Sequence, residues 1–274
     1  MRNWLKPVMA LMAAFASPIA VAQPTAAPPI PPPAPQGAQL DLAKPFRARS
    51  DWRLVVSEGP PTKDYGNGDA PGALTLCLYK GPGGSCVSDP VTLPLRAPTA
   101  DYAIAWEPHY LLTAKVVYPH GQTGAPLLLV VTGSLYSGDG DQVVSTELVT
   151  YDPDLDAFRR IYGKSTGRNN NQEIRFVTAG PLQGSVVTAE PEEHLPYGYW
   201  MTVDRLTPAG VYRQVLRYRS ATIYNDGNPL AVIDSEMPNI EHRLGLWRPG
   251  DPIPTPDAKR CLKPVMHKTE LWCG

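Results

Sequence analysis

The residues best suited to chemistry in this chain are acidic turns. Asp152-Pro-Asp154-Leu-Asp156 sets three carboxylates at alternate positions, the spacing a calcium loop uses, and Asp139-Gly-Asp141 is a shorter version. Counting from Asp152, Ala157 stands sixth where an EF-hand needs glycine, and Gly163 stands twelfth where it needs a bidentate glutamate. The competing reading is a strand–turn–strand joint in which aspartates cap the turn. Catalytic patterns are missing: there is no G-x-S-x-G elbow, no H-E-x-x-H and no phosphate-binding Gly/Lys loop. The five histidines are scattered singly, and Glu190, Glu192, Glu193 and His194 read as a solvated acidic loop. The expectation is therefore no enzyme, and no cofactor beyond calcium at Asp152, Asp154 and Asp156.

Four cysteines fall into two close pairs, Cys77 with Cys86 and Cys261 with Cys273. An even count in an exported chain predicts disulfides, and of the three connectivities the two local ones are preferred. CLYKGPGGSC reads as two strand ends joined by a Gly/Pro turn, which brings the first pair together. Closing loops this short removes about 3 kcal/mol of unfolded-chain entropy per bridge. A single zinc held by all four thiolates is the alternative, and the spacing does not suit it.

Two polar-aromatic loops are candidate recognition surfaces. Ser134-Leu-Tyr-Ser-Gly-Asp-Gly-Asp141 lies between two apolar runs, with Tyr136 for contact area and Ser137 and Gly138 for close backbone approach. A flexible hairpin tip is its plainer reading. His194-Leu-Pro-Tyr-Gly-Tyr-Trp200 holds the matching place some sixty residues later. Tyr197, Tyr199 and Trp200 form a possible stacking platform there, with Trp200 the one expected in the core.

These loops need rigid strands to hold them. Short apolar or alternating runs recur between Gly, Pro and Asp, which predicts an all-β domain. Trp52–Val56 is a first strand, and Ala73–Tyr79 with Cys86–Leu93 makes a hairpin. Four strands follow, at Tyr110–Tyr118, Leu127–Thr132, Val143–Tyr151 and Phe158–Tyr162. A second block of four sits at Glu173–Ala179, Gly184–Ala189, Tyr199–Leu206 and Val211–Tyr218. In its last strand Tyr212, Leu216 and Tyr218 alternate with Arg213, Arg217 and Arg219. A third, shorter block is expected from Ala221, with runs at Ala231–Asp234 and His242–Trp247. Repeated four-stranded antiparallel units predict propeller-like blades, too few for a closed ring, with a β-sandwich as the alternative.

The first 22 residues place Arg2 and Lys6 before an apolar stretch ending Ala20-Val21-Ala22, the pattern of a cleaved signal peptide. Residues 23–48 are Ala/Pro-rich and read as a semi-rigid linker. Residues 49–274 remain as one β-rich domain. The chain has 25 basic and 26 acidic residues, and losing Arg2 and Lys6 leaves a net charge near −3. That balance gives no electrostatic case for nucleic acid or an anionic membrane.

The signal peptide, the run PLLLVVTG and the strand–turn–strand TELVTYDPDLDAFRRIYG together resemble a family of bacterial periplasmic immunity proteins. That family protects contact-killing bacteria from their own secreted peptidoglycan hydrolases and is similar to inhibitors of invertebrate-type lysozyme. The resemblance covers roughly residues 110–220 and implies a propeller-like β fold. Related members carry an acidic turn before the LLLVV-type strand; here that place reads His120-Gly-Gln-Thr-Gly-Ala125, without a carboxylate. Their Ser-Gly-x-Tyr inhibitory loop matches Ser137-Gly138-Asp139-Gly140 except that glycine replaces the tyrosine. The resemblance implies a periplasmic inhibitor that inserts a loop into a hydrolase cleft, with Tyr136, Ser137, Gly138, Asp139 and Asp141 as contacts. An envelope carbohydrate-binding or scaffold module using Tyr197, Tyr199 and Trp200 is the second expectation.

Overall fold

The computed structural model describes residues 39–64, 66, 68–93, 106–121, 124–138, 140–167, 171–194, 197–255 and 261–273. The signal-like segment, most of the linker and Asp139 lie outside the described residues. β1 (Gln39–Asp41), a short helix α1 (Ala43–Phe46) and β2 (Trp52–Glu58) come first, and a small ribbon of β3 (Thr62–Lys63) and β4 (Asp69–Ala70) leads to β5 (Leu74–Lys80) and β6 (Cys86–Ser88). β1, β2, β5 and β6 pair in that order as one antiparallel sheet. The second sheet is an antiparallel meander of β7 (Tyr110–Val117), β8 (Leu127–Tyr136), β9 (Gln142–Asp152) and β10 (Ala157–Thr166). The third repeats it with β11 (Glu173–Phe176), β12 (Val186–Pro191), β13 (Tyr199–Leu206) and β14 (Tyr212–Arg219). Short turns explain the meanders, since each strand finds its sequence neighbour first.

The second sheet is the middle layer, which is why LLLVV does not alternate. Side chains on a strand point to opposite faces in turn, so an unbroken apolar run is needed where both faces are covered. Leu128 and Val130 pack with Trp52, Leu54, Val56, Leu76 and Leu78 of the first sheet. Leu127 and Leu129 face the other way, against Phe176, Val186 and Tyr212 of the third. The third sheet's far face carries Val187, Tyr199, Met201 and Val203, which pack on Val232, Ile233 and Ile240. Those three belong to a helix, α2 (Val232–Arg243), where the sequence reading placed a further strand block. Ile233, Met237, Ile240 and Leu244 recur every three or four residues, the helical period, and Pro238 within the run hid it. The result is an open stack of three sheets and one helix, with no closed ring among the described residues.

The fold also begins earlier than the expected boundary at residue 49. Leu42 and Phe46 are buried in the core between the first two sheets, so the Ala/Pro tract gives way to folded chain by Gln39. Phe158 sits at the centre of this core, its ring 5.1 Å from Phe46 and 5.2 Å from Trp52, both edge-on.

Both local disulfides are present, Cys77–Cys86 and Cys261–Cys273. The first closes the β5–β6 hairpin; the run Cys86–Leu93 is a strand only to Ser88, then turns. The second closes β15 (Pro264–His267) and β16 (Glu270–Cys273) into a terminal ribbon that holds α2. The Leu271 carbonyl there accepts from Asn228 Nδ2 at 2.9 Å and from Ser235 Oγ at 3.1 Å. No described helix is long and apolar enough to cross a membrane.

Candidate functional site

The strand ends carrying both candidate loops lie at one end of the stack. The first loop joins β8 to β9, and its base is built from side chains. Gln142 is buried and its Nε2 donates to the Ser134 carbonyl at 2.8 Å, while Val143 N–H donates to Ser134 Oγ at 3.1 Å. Gln142 lies over Gly133 so closely that a Cβ at 133 would stand 2.6 Å from its amide nitrogen. Above this base the turn closes on itself. Ser137 N–H donates to the Asp141 carbonyl at 2.8 Å and Gly140 N–H to the Ser137 carbonyl at 2.9 Å. Ser137 and Gly138 are exposed and Asp141 is half-buried. Tyr136, expected to supply contact area, is half-buried below the exposed tip. Its ring packs edge-on against Tyr110 at 5.7 Å, which makes it part of the base.

The second loop joins β12 to β13. Glu190, Trp200 and Arg219 stand side by side across three strands, and the next row inward on the same face is Thr188, Thr202 and Arg217. This end of the face borders an open groove of about 1040 Å³ that also takes in Thr166, Gln172, Glu192 and His194. Arg219 Nε lies 2.6 Å from Glu192 Oε1 and its Nη2 donates to Glu192 Oε2 at 2.8 Å, a two-point fork that staples the loop. Lys164 of β10 meets Glu190 at 2.9 Å and ties the second sheet to the third. Arg217 stacks over the Trp200 ring, its guanidinium carbon 4.6 Å from the centroid.

The two loops are neighbours. β10 runs beside β9 with Thr166 opposite Val144, and Gly167 passes so near Asp141 and Gln172 that a Cβ there would strike both side chains. Thr166 and Gln172 then form the groove's near wall, so the 137–141 tip and the groove share one rim.

Of the proposed aromatic platform, only Trp200 faces the groove. It is 36% exposed, whereas Tyr199 is wholly buried against α2, the reverse of the sequence assignment. Adjacent strand residues must face opposite ways, so one of the pair was bound to be core. Tyr197 is half-buried with its ring edge-on to Tyr224 at 6.5 Å. The sequence reading passed over Arg217 and Arg219 because it took Tyr212, Leu216 and Tyr218 as one face. A bulge at Val215 shifts the phase, so Tyr212 packs toward the middle sheet and Tyr218 toward α2.

The Asp152–Asp156 turn is built as a joint between layers. Asp152 Oδ1 accepts from the Asp154 and Leu155 N–H groups, and its other oxygen meets Arg159 at 3.1 Å. Asp156, in the left-handed region at φ 47°, accepts from Trp52 Nε1 at 2.9 Å, Tyr151 OH at 2.7 Å and Ser50 Oγ at 2.5 Å. Lys80 lies 2.8 Å from the same carboxylate, and these partners, Lys80 foremost, hold its pKa well below the carboxylate range. Of the three carboxylates expected to share calcium, Asp152 and Asp156 are thus committed to separate partners. No group of three metal-binding side chains converges among the described residues.

A second ionisable site lies inside the stack. Glu147 of β9 is 1% exposed, on the face toward the first sheet, with Oε2 3.2 Å from Arg160 Nη1. That nitrogen also donates to the Val91 carbonyl at 2.6 Å, pinning the segment after β6. Burial outweighs the attraction of Arg160 and pushes the Glu147 carboxyl up to about 8. Compared with family models, with curated proteins and with solved structures, the chain matches none.

Proposed function

We propose that this is an exported, non-catalytic protein that occludes the active-site cleft of a peptidoglycan-cleaving, lysozyme-like enzyme with its 137–141 loop. In this reading the protein works in the periplasm as an immunity protein or inhibitor, and its three sheets are propeller-like blades. The observation that carries it is the braced tip. Ser137, Gly138 and Gly140 project from two strands of a sheet buried on both faces, and Gln142 and Ser134 lock the base. A tip ordered before binding loses little conformational freedom on entering a cleft, which is how a small loop reaches useful affinity. Ser137 and Gly138 meet the cleft floor and Asp141 faces basic or catalytic groups. A net charge near −3 favours a basic hydrolase over an acidic one.

The test is wall lysis by purified lysozyme-like hydrolases of several families, with and without excess protein. Stoichiometric inhibition of one of them is expected, lost when Ser137 and Gly138 are both replaced by Arg while the thermal midpoint stays put. Undiminished lysis of every hydrolase at tenfold molar excess, or inhibition untouched by the double replacement, overturns the reading.

A further inference from the structure

The groove beside the tip has a recognition chemistry of its own, apart from loop insertion. Its floor offers the partly exposed indole of Trp200, with the guanidinium carbon of Arg217 over the ring, 4.6 Å from its centroid. Arg219 is committed to Glu192 and Lys164 to Glu190. Arg217 differs, since no carboxylate pairs with it among the described residues. The contact with the indole positions the guanidinium, a group that matches a carboxylate through two parallel hydrogen bonds.

We infer that this groove binds a sugar carrying a carboxylate, its ring against the part of the Trp200 indole that Arg217 leaves exposed and its acid group on the Arg217 guanidinium. Sugar rings present flat C–H faces to aromatic planes and hydroxyls to side chains that both donate and accept. Gln172, Glu190 and the Arg219–Glu192 fork supply that mixture around Trp200. The groove, about 1040 Å³ and open to solvent, has room for a ligand of disaccharide size. An acidic protein segment fits less well, because Glu190, Glu192 and Glu193 line the same walls and repel a run of carboxylates. A single carboxylate on a neutral ring meets only Arg217. This inference stands apart from the inhibitor reading, and either can fail alone, since one is tested at residues 137–138 and the other at Arg217.

Calorimetric titration of the full chain separates the possibilities, with three probes: the N-acetylglucosamine–N-acetylmuramic acid disaccharide with its lactyl carboxylate free, the uncharged N-acetylglucosamine trimer and hexaglutamate. Saturable binding is expected for the muramic acid disaccharide, at least about tenfold weaker for the trimer. Arg217→Ala should weaken muramyl binding about tenfold or more, and Arg217→Lys should restore only part, since lysine keeps charge but loses the fork. Trp200→Ala should abolish it. Both positions are on the surface, and unchanged thermal midpoints confirm intact folding. No saturable binding of the muramic acid disaccharide, equal affinity for the trimer, or an unaffected Arg217→Ala variant overturns the inference. Hexaglutamate binding as tightly as the sugar overturns it too and makes the groove a protein-docking surface.

Discussion

Replacing Glu147 by Gln should stabilise the protein at neutral pH, although it removes a member of an apparent ion pair. The carboxyl sits between two sheets at 1% exposure, and its Oε1 and the Nε of Arg160 have no hydrogen-bond partner among the described residues. Burial sets the proton affinity, raising the folded pKa from 4.5 to about 8, and the charge of Asp89 nearby adds to the rise. In the unfolded chain the same carboxyl ionises near 4.5. Between those values the unfolded state binds fewer protons than the folded one, so stability must fall as pH rises. The contribution is intact below about pH 4.5, declines through the interval, and is gone above about pH 8. At about 1.36 kcal/mol per pH unit, relaxation of the site leaves a loss on the order of 3–5 kcal/mol. Glutamine has nothing to ionise. Wild type and Glu147→Gln should therefore be nearly equal in stability at pH 4.5 and diverge toward pH 8, with the variant the more stable. Chemical denaturation of both proteins at several pH values between 4.5 and 8.5 measures this, and taking the difference cancels the other titrating groups. A difference that stays flat, or a variant that loses ground as pH rises, would mean Glu147 is ionised against Arg160 and would refute the reasoning.

Gly163→Ala should be destabilising, because its Cβ would stand 2.3 Å from Glu147 Oε2; urea midpoints should show a penalty of about 1–3 kcal/mol. Gly133→Ala presses on Gln142 at the tip's base in the same way, and it should raise amide exchange in residues 134–143 and weaken hydrolase inhibition together. Leu128→Ala opens a cavity in a layer covered on both sides and should cost about 2–5 kcal/mol by equilibrium unfolding. Replacing Cys261 and Cys273 by Ser frees the ribbon that holds Asn228 and Ser235, and calorimetry should show a loss of about 3 kcal/mol.

Much of this fold is legible along the chain. The strands Tyr199–Leu206 and Tyr110–Val117 are marked by turn residues and apolar runs, and proximity within the chain marks both disulfides. Such features are local, because a turn or a short loop depends on residues only a few places apart. The errors fall where a distant partner decides. Val232–Arg243 is a helix because the third sheet had an uncovered apolar face, and α2 supplies matching residues despite Pro238. Tyr212 and Tyr218 part ways at a bulge that only pairing with β13 reveals. Asp156 looks like a metal ligand until Trp52 and Lys80, far off in sequence, converge on it.

The candidate site divides the same way. Sequence alone determined that two polar-aromatic loops interrupt apolar strands, since composition sets which segments can be buried. Only the tertiary structure decided that both loops share one rim, that Trp200 faces out while Tyr199 faces in, and that Arg217 lies upon the indole. Those outcomes depend on how three sheets stack, and the stacking is set by the summed burial of side chains drawn from the whole length of the chain.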